Sequence, residues 1–257
     1  MSVLNSSAIY PDLQGRTVLI SGGASGIGQA LVEAFAAQGA NTAFVDIAVE
    51  AGIALEKTLK SEGHSVSFKP CDITDIREYQ LTIREFADQL GPITVLLNNA
   101  ANDVRHSLDS LTSERFDELI TVNLKHQMFA AQAVEPMMRQ SGGGSIINFG
   151  SVGWMMATAG YPVYAASKAA VHGMTRSLAR ELGGAGIRVN TLVPGWVMTE
   201  KQLQMWVDDE AKALIKRSQC MPGSVLPEHI AQMALFLASD ASSMCSAQNF
   251  IVDGGWV

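Results

Sequence analysis

The chain has 257 residues, a formal net charge of −7 at pH 7, 47% hydrophobic residues and 17% charged residues. These proportions suit a globular chain with a large core, and the acidic balance without any Lys/Arg run argues against a nucleic-acid partner, whose phosphates need a basic footprint. Apolar runs such as Val95-Leu96-Leu97 are far too short to cross a bilayer, and residues 1–15 carry neither the basic start nor the apolar stretch of a secretory signal. No membrane role and a cytoplasmic location are therefore expected. Cys71, Cys220 and Cys245 form no CxxC pair, which argues against a disulfide framework or zinc site and predicts buried, inert thiols.

Strand-like runs alternate with helix-period segments from end to end. Residues 17–20 read as a buried strand and 26–38 as a helix ended by Gly39. A strand at 42–45, a helix at 50–61 and a strand at 66–68 follow. Residues 75–89 are helical, 94–97 a strand, 113–139 one long amphipathic helix and 145–149 a strand. A helix at 162–181, a strand at 188–193, a helix at 228–238 and a strand at 249–252 complete the order. Strict β/α alternation implies a parallel sheet of about seven strands with right-handed crossovers. The strands are continuously apolar, as both-face burial requires. The expected fold class is α/β, a doubly wound Rossmann-like sheet with helices on both faces. No linker or repeat divides it, so one domain over 1–257 is expected.

Ligands of such sheets bind beyond the carboxyl ends of the strands, so the residues there carry the functional argument. After the first strand comes Ser21-Gly22-Gly23-Ala24-Ser25-Gly26-Ile27-Gly28, which opens a helix. Glycines let the backbone approach a pyrophosphate, and the helix N-terminus offers free N–H groups and a positive dipole end. Asp46 ends the second strand, where a carboxylate can accept hydrogen bonds from a ribose diol and repel the 2′-phosphate of NADP. Ala24, Ser25 and Ile47 nearby bring no cation, so NAD is the expected cofactor. Asp72 after the third strand and Asn98-Asn99-Ala100 after the fourth add candidates for the adenosine end, although Asp and Asn also serve ordinary turns.

Ser151 follows the fifth strand, and Tyr164 and Lys168 share a helix face at i, i+4. A phenol titrates near ~10 and needs a neighbouring cation to act as a base at neutral pH. Ser151 can then hold a substrate oxygen while Tyr164 takes its proton. Tyr161 is the decoy, since it lacks the i, i+4 partner. The histidines His64, His106, His126, His172 and His229 show no metal-ligand spacing, and no metal site is expected.

These motifs resemble the short-chain dehydrogenase/reductase family over nearly the whole chain. Its glycine motif is matched by residues 21–28, with Ser21 where threonine is usual, and its Asn-Asn-Ala-Gly motif by Asn98-Asn99-Ala100-Ala101, with Ala101 replacing glycine. Its Asn, Ser, Tyr, Lys tetrad falls on Asn123, Ser151, Tyr164 and Lys168, and its Pro-Gly motif on Pro194-Gly195. The resemblance implies cofactor contacts at Ile73, Tyr164, Lys168, Val197 and Thr199 as well. It also implies that Asn123 bends its helix and supports a water linking Lys168 to solvent. A narrower resemblance, to bacterial sugar 1-dehydrogenases of the D-xylose type, rests on Ser7-Ala8-Ile9-Tyr10-Pro11, Asn102-Asp103, Arg105-His106, Asn148-Phe149-Gly150-Ser151 and the 235–240 segment.

The expected reaction is hydride transfer between NAD and a CH–OH group of a sugar, polyol or sugar acid, most simply an aldose oxidised to a lactone. Asn102, Asp103, Arg105 and His106 are candidate hydroxyl-binding groups, with Ser151, and Trp154, Met155, Met156, Trp196, Met198 and Trp206 are candidate apolar walls. The 196–217 segment is expected to be a substrate lid. A carbonyl reductase of the same family and a non-catalytic dinucleotide-binding regulator are the alternatives. Ala165, Ala166, Ala169, Ala170 and Gly173 would admit a partner helix, and by resemblance the chain pairs its 113–139 and 162–181 helices into a homotetramer.

Overall fold

The computed structural model describes residues 8–257. Ser7, with which the narrower resemblance begins, and the first part of the 1–15 stretch lie outside the described residues. Strands β1 (Thr17–Ser21), β2 (Asn41–Asp46), β3 (Val66–Pro70), β4 (Ile93–Asn98), β5 (Gly144–Phe149), β6 (Ile187–Pro194) and β7 (Asn249–Val252) pair into one parallel sheet. Their order is β3-β2-β1-β4-β5-β6-β7, so the winding reverses between β1 and β4 and opens a crevice there.

Alternation along each strand sends neighbouring side chains to opposite faces. Val18, Ile20 and Phe44 face one core, filled by α1 (Gly26–Ala37), α2 (Val49–Ser61) and α9 (Pro227–Ala238). Leu19, Ala43 and Val45 face the other, filled by α3 (Ile76–Leu90), α5 (His126–Gln140) and α6 (Pro162–Leu182). Helix starts follow local chemistry: Asp75 accepts from the Glu78 N–H at 3.0 Å and Thr112 from the Arg115 N–H at 3.2 Å.

Two elements add detail to the sequence reading. The helix read over 113–139 is α4 (Ser113–Ile120) joined to α5 by a π-turn, Thr121–Lys125, an irregularity that falls at Asn123, where the resemblance implies a bend. The 196–217 segment carries two helices of its own, α7 (Glu200–Met205) and α8 (Asp209–Ser218), started by the side chains of Thr199 and Asp208. Cys71 is buried as expected, whereas Cys220 is exposed in the turn after α8. No helix among the described residues is long and apolar enough to cross a membrane.

Candidate active site

A cleft of about 1320 Å³ runs past the carboxyl ends of β1, β2, β4, β5 and β6. At one end the loop after β1 turns through Gly22 (φ +69°) and Gly26 (φ +55°), a region that favours glycine. A side chain on Gly28 would run into the Gly22 carbonyl, and one on Gly22 would come within 2.9 Å of the Ala100 Cα. Among the described residues the Ser25 side chain makes no capping hydrogen bond to α1, which leaves first-turn amides for an anion. This is a cradle a phosphate group fits.

The Asp46 carboxylate stands at the rim of that cradle. One oxygen accepts from the Ala24 N–H at 3.0 Å and the other from the Ala48 N–H at 2.9 Å, so it is oriented with lone pairs to spare. Asp72 and Ile73 also line the cleft, with Asp72 Oδ1 accepting from the Thr74 N–H at 2.9 Å and hydroxyl at 2.7 Å. The Asn98 side chain points elsewhere: it is buried and donates to Asn148 Oδ1 at 2.9 Å. Its neighbour Asn99 faces the cleft instead and ties the glycine loop, donating to the Ser21 and Gly22 carbonyls at 3.0 and 2.9 Å. Ala100, Pro194, Gly195, Val197 and Thr199 line the cleft.

Ser151, Tyr164 and Lys168 meet where β5 ends against α6. Ser151 Oγ accepts from the Gly153 N–H at 3.0 Å. Lys168 is almost fully buried, donates from Nζ to the Phe149 carbonyl at 2.7 Å, and lies 5.7 Å from the centre of the Tyr164 ring. Burial pulls the Lys168 ammonium down to about 7, against an upward pull from Asp103. Burial pushes the Tyr164 phenol up to about 12, although its hydrogen bond with Ser151 acts the other way. In the protein alone, burial is the largest influence on both groups.

Asn123 sits fully buried in the π-turn. Its amide donates to the Asn102 and Leu119 carbonyls, each at 3.0 Å, and its oxygen accepts from the Asn102 N–H at 2.8 Å. The π-turn falls where the resemblance implies a bend, and the side chain clasps the loop after β4.

The substrate candidates divide by whether they face the cleft. Asp103, Arg105 and Trp196 line it. Asn102, His106 and Trp154 lie off it. The Asn102 backbone is held in the Asn123 clasp, the His106 backbone N–H donates to the Gly160 carbonyl at 2.8 Å, and the Trp154 ring meets His172 edge-on at 5.2 Å. Of the apolar candidates, Met156 and Met198 reach the cleft. Asp103 accepts from Lys201 Nζ at 2.7 Å and from Gln202 Nε2 at 3.1 Å. Burial alone would raise its carboxyl, but Lys201 and Gln202 hold it below the usual carboxylate range. Arg105 lies 4.0 Å over the Tyr161 ring and 5.3 Å over the Trp206 ring, and donates to the Ala159 carbonyl at 3.2 Å. Gln202 also accepts from Trp196 Nε1 at 3.0 Å. Sequence reasoning missed Gln202 and set Tyr161 aside. The signal for Gln202 was its place three residues after the Thr199 cap, and for Tyr161 its place one turn before Tyr164, which it meets edge-on at 5.3 Å.

A family model described as Enoyl-(Acyl carrier protein) reductase matches residues 22–257. The D-xylose 1-dehydrogenase of Caulobacter vibrioides is 45% identical to this chain over 98% of it and 99% of that protein. The chain belongs to the short-chain dehydrogenase/reductase family. A second short-chain relative, the Rhizobium meliloti protein named probable galactose dehydrogenase, is 44% identical over 97% of this chain and 98% of its own. Among solved structures, a blue fluorescent protein from a metagenomic library in complex with NADPH matches with a TM-score of 0.88 and 32% identity, covering 96% of this chain and 99% of that one. As a short-chain dehydrogenase/reductase the chain is an oxidoreductase, and its family binds a nicotinamide dinucleotide. Among the described residues no group of three or more His, Cys, Asp or Glu is gathered as a metal site.

Proposed function

We propose that this chain is an NAD-dependent sugar dehydrogenase that oxidises the anomeric CH–OH of an aldose to a lactone. The observation that carries the reading is the opening of Ser151 and Tyr164 onto a wall made by Asp103 and Arg105, two groups suited to sugar hydroxyls. The two sugar-dehydrogenase relatives agree with it.

In this reading Gly22, Ser25, Gly26, Ile27 and Gly28 hold the pyrophosphate and Asp46 the adenosine ribose. Asp72, Ile73, Asn98, Ala100, Pro194, Gly195, Val197 and Thr199 complete the cofactor wall, Asn98 through its backbone. When bound, the nicotinamide would supply the hydride acceptor and, in its oxidised form, a positive charge that would favour the Tyr164 phenolate. Ser151 Oγ donates to and orients the anomeric oxygen, and Tyr164 Oη takes the anomeric hydroxyl proton as the C–H hydride leaves. Lys168 stabilises the phenolate side of that exchange from behind, and Asn123 holds the loop that presents Asp103. Trp196 and the 196–217 segment form the lid. Asp46 favours NAD, since a 2′-phosphate beside it would meet like charge with no cation to offset it. The chain acts as one domain, in the cytoplasm, as a homotetramer.

A panel of aldoses, polyols and sugar acids with NAD and with NADP, followed at the nicotinamide absorbance band, tests this. Turnover of a pentose or hexose with NAD at clearly higher kcat/KM than with NADP is expected. Activity confined to keto or acyl substrates would replace the sugar reading with a carbonyl reductase.

A further inference from the structure

The C-terminal tail is tied down by one buried carboxylate. Asp253 is 4% exposed, with Oδ1 accepting from the Gly255 N–H at 2.7 Å and Oδ2 from the Val257 N–H at 2.9 Å. Both oxygens therefore serve to fold the last residues back on themselves. The fold-back is seated against the cleft, because a side chain on Gly195 would come within 2.6 Å of the Asp253 Cα. Its other side meets the turn after α8, where the Met221 N–H donates to the Gly254 carbonyl at 2.9 Å.

The residue so presented is Trp256, whose ring lies 6.4 Å from that of Trp196, within the range of an aromatic pair. Trp196 lines the cleft, and its indole N–H runs to Gln202, which in turn donates to Asp103. A continuous line of contacts thus joins the chain terminus to the polar wall: Trp256, Trp196, Gln202, Asp103.

We propose that Trp256 is a positioning residue for the sugar, and that the Asp253-stapled tail sets how Trp196 and α7 close on the substrate end of the cleft. The proposal rests on the sugar dehydrogenase reading. It assigns the tail to substrate affinity and selectivity and leaves the hydride and proton steps to the residues already placed. Loss of the Trp256 ring frees Trp196 to move away from Gln202, which loosens the wall that Asp103 and Arg105 present. The loop at 22–28 and Asp46, which hold the adenosine half of the cofactor in this reading, lie outside this line of contacts.

The test compares wild type, Trp256→Ala and Trp256→Phe by sugar KM, kcat, NAD KM, melting temperature and the rate of tryptic cleavage after Lys201, a lid residue. The expected result for Trp256→Ala is a rise in sugar KM of about three- to tenfold, the range one aromatic pair implies. Its kcat and NAD KM should stay near wild type, its cleavage after Lys201 should be faster, and Trp256→Phe should restore most of both effects. An unchanged sugar KM, a fall in kcat alone, an equal rise in NAD KM, or a Phe variant no better than Ala would overturn it. A wild type that oxidises no sugar would instead defeat the functional reading; unchanged cleavage in Trp256→Ala would then overturn the tail proposal, and faster cleavage restored by Phe would support it.

Discussion

Asp46 shows how far a single side chain can be read from sequence. Its place at the end of β2 made it a cofactor candidate, and the structure adds what orients it, the Ala24 and Ala48 amides. Asp46→Ser should lower kcat/KM with NAD by roughly tenfold to a hundredfold, the range for losing a charged hydrogen bond, and narrow the gap to NADP. Parallel kinetics with both cofactors checks this, and an unchanged preference would remove Asp46 from the account. Asn98 and Asn99 were less legible. Consecutive residues at a strand end point to opposite sides, and nothing in the dipeptide says which amide meets Gln127 and Asn148 and which meets the glycine loop. His106 and Trp154 eluded sequence reasoning for a related reason: loop residues are aimed by long-range contacts, here Gly160 and His172.

At the scale of elements, the alternation of strands and helices was plain because apolar periodicity is local, whereas the π-turn in the long helix was not. One inserted residue leaves the amphipathic pattern readable and changes only which side chains face inward. It places His126 in a fully buried position with both ring nitrogens lacking a hydrogen-bond partner among the described residues. Burial, then the nearby Lys168, pulls its imidazole down to about 3. As pH falls below the ordinary ~6.5, the unfolded chain takes up a proton that the folded chain refuses, so wild type loses stability from that pH down to about 3. His126→Met removes this loss. Its stability relative to wild type should improve by about 2 kcal/mol between pH 7.5 and pH 5, whatever its absolute value. Urea unfolding at the two pH values decides it, and a difference independent of pH would mean that His126 is not held neutral.

Over the whole molecule, the small-residue side of α6 remains open: Ala166, Ala170 and Gly173 are exposed, as are Phe116 on α4 and Met128 on α5. An apolar face of this kind is covered in a symmetric assembly. Light scattering at low micromolar concentration should give about four times the chain mass of 27.4 kDa, and a mass near 27.4 kDa would refute the tetramer. The same faces were visible in the sequence only as small residues at helical spacing, which do not distinguish close packing inside a chain from packing between chains.

The central claim is that Tyr164 exchanges the proton of the sugar hydroxyl. It is tested most directly by sugar oxidation kinetics and NAD binding for Tyr164→Phe beside Tyr161→Phe. The account predicts that Tyr164→Phe lowers kcat by roughly a hundredfold or more, the size of a lost general base, with NAD affinity nearly unchanged and Tyr161→Phe much less affected. Near-normal turnover by Tyr164→Phe, or a larger loss in Tyr161→Phe, would contradict it.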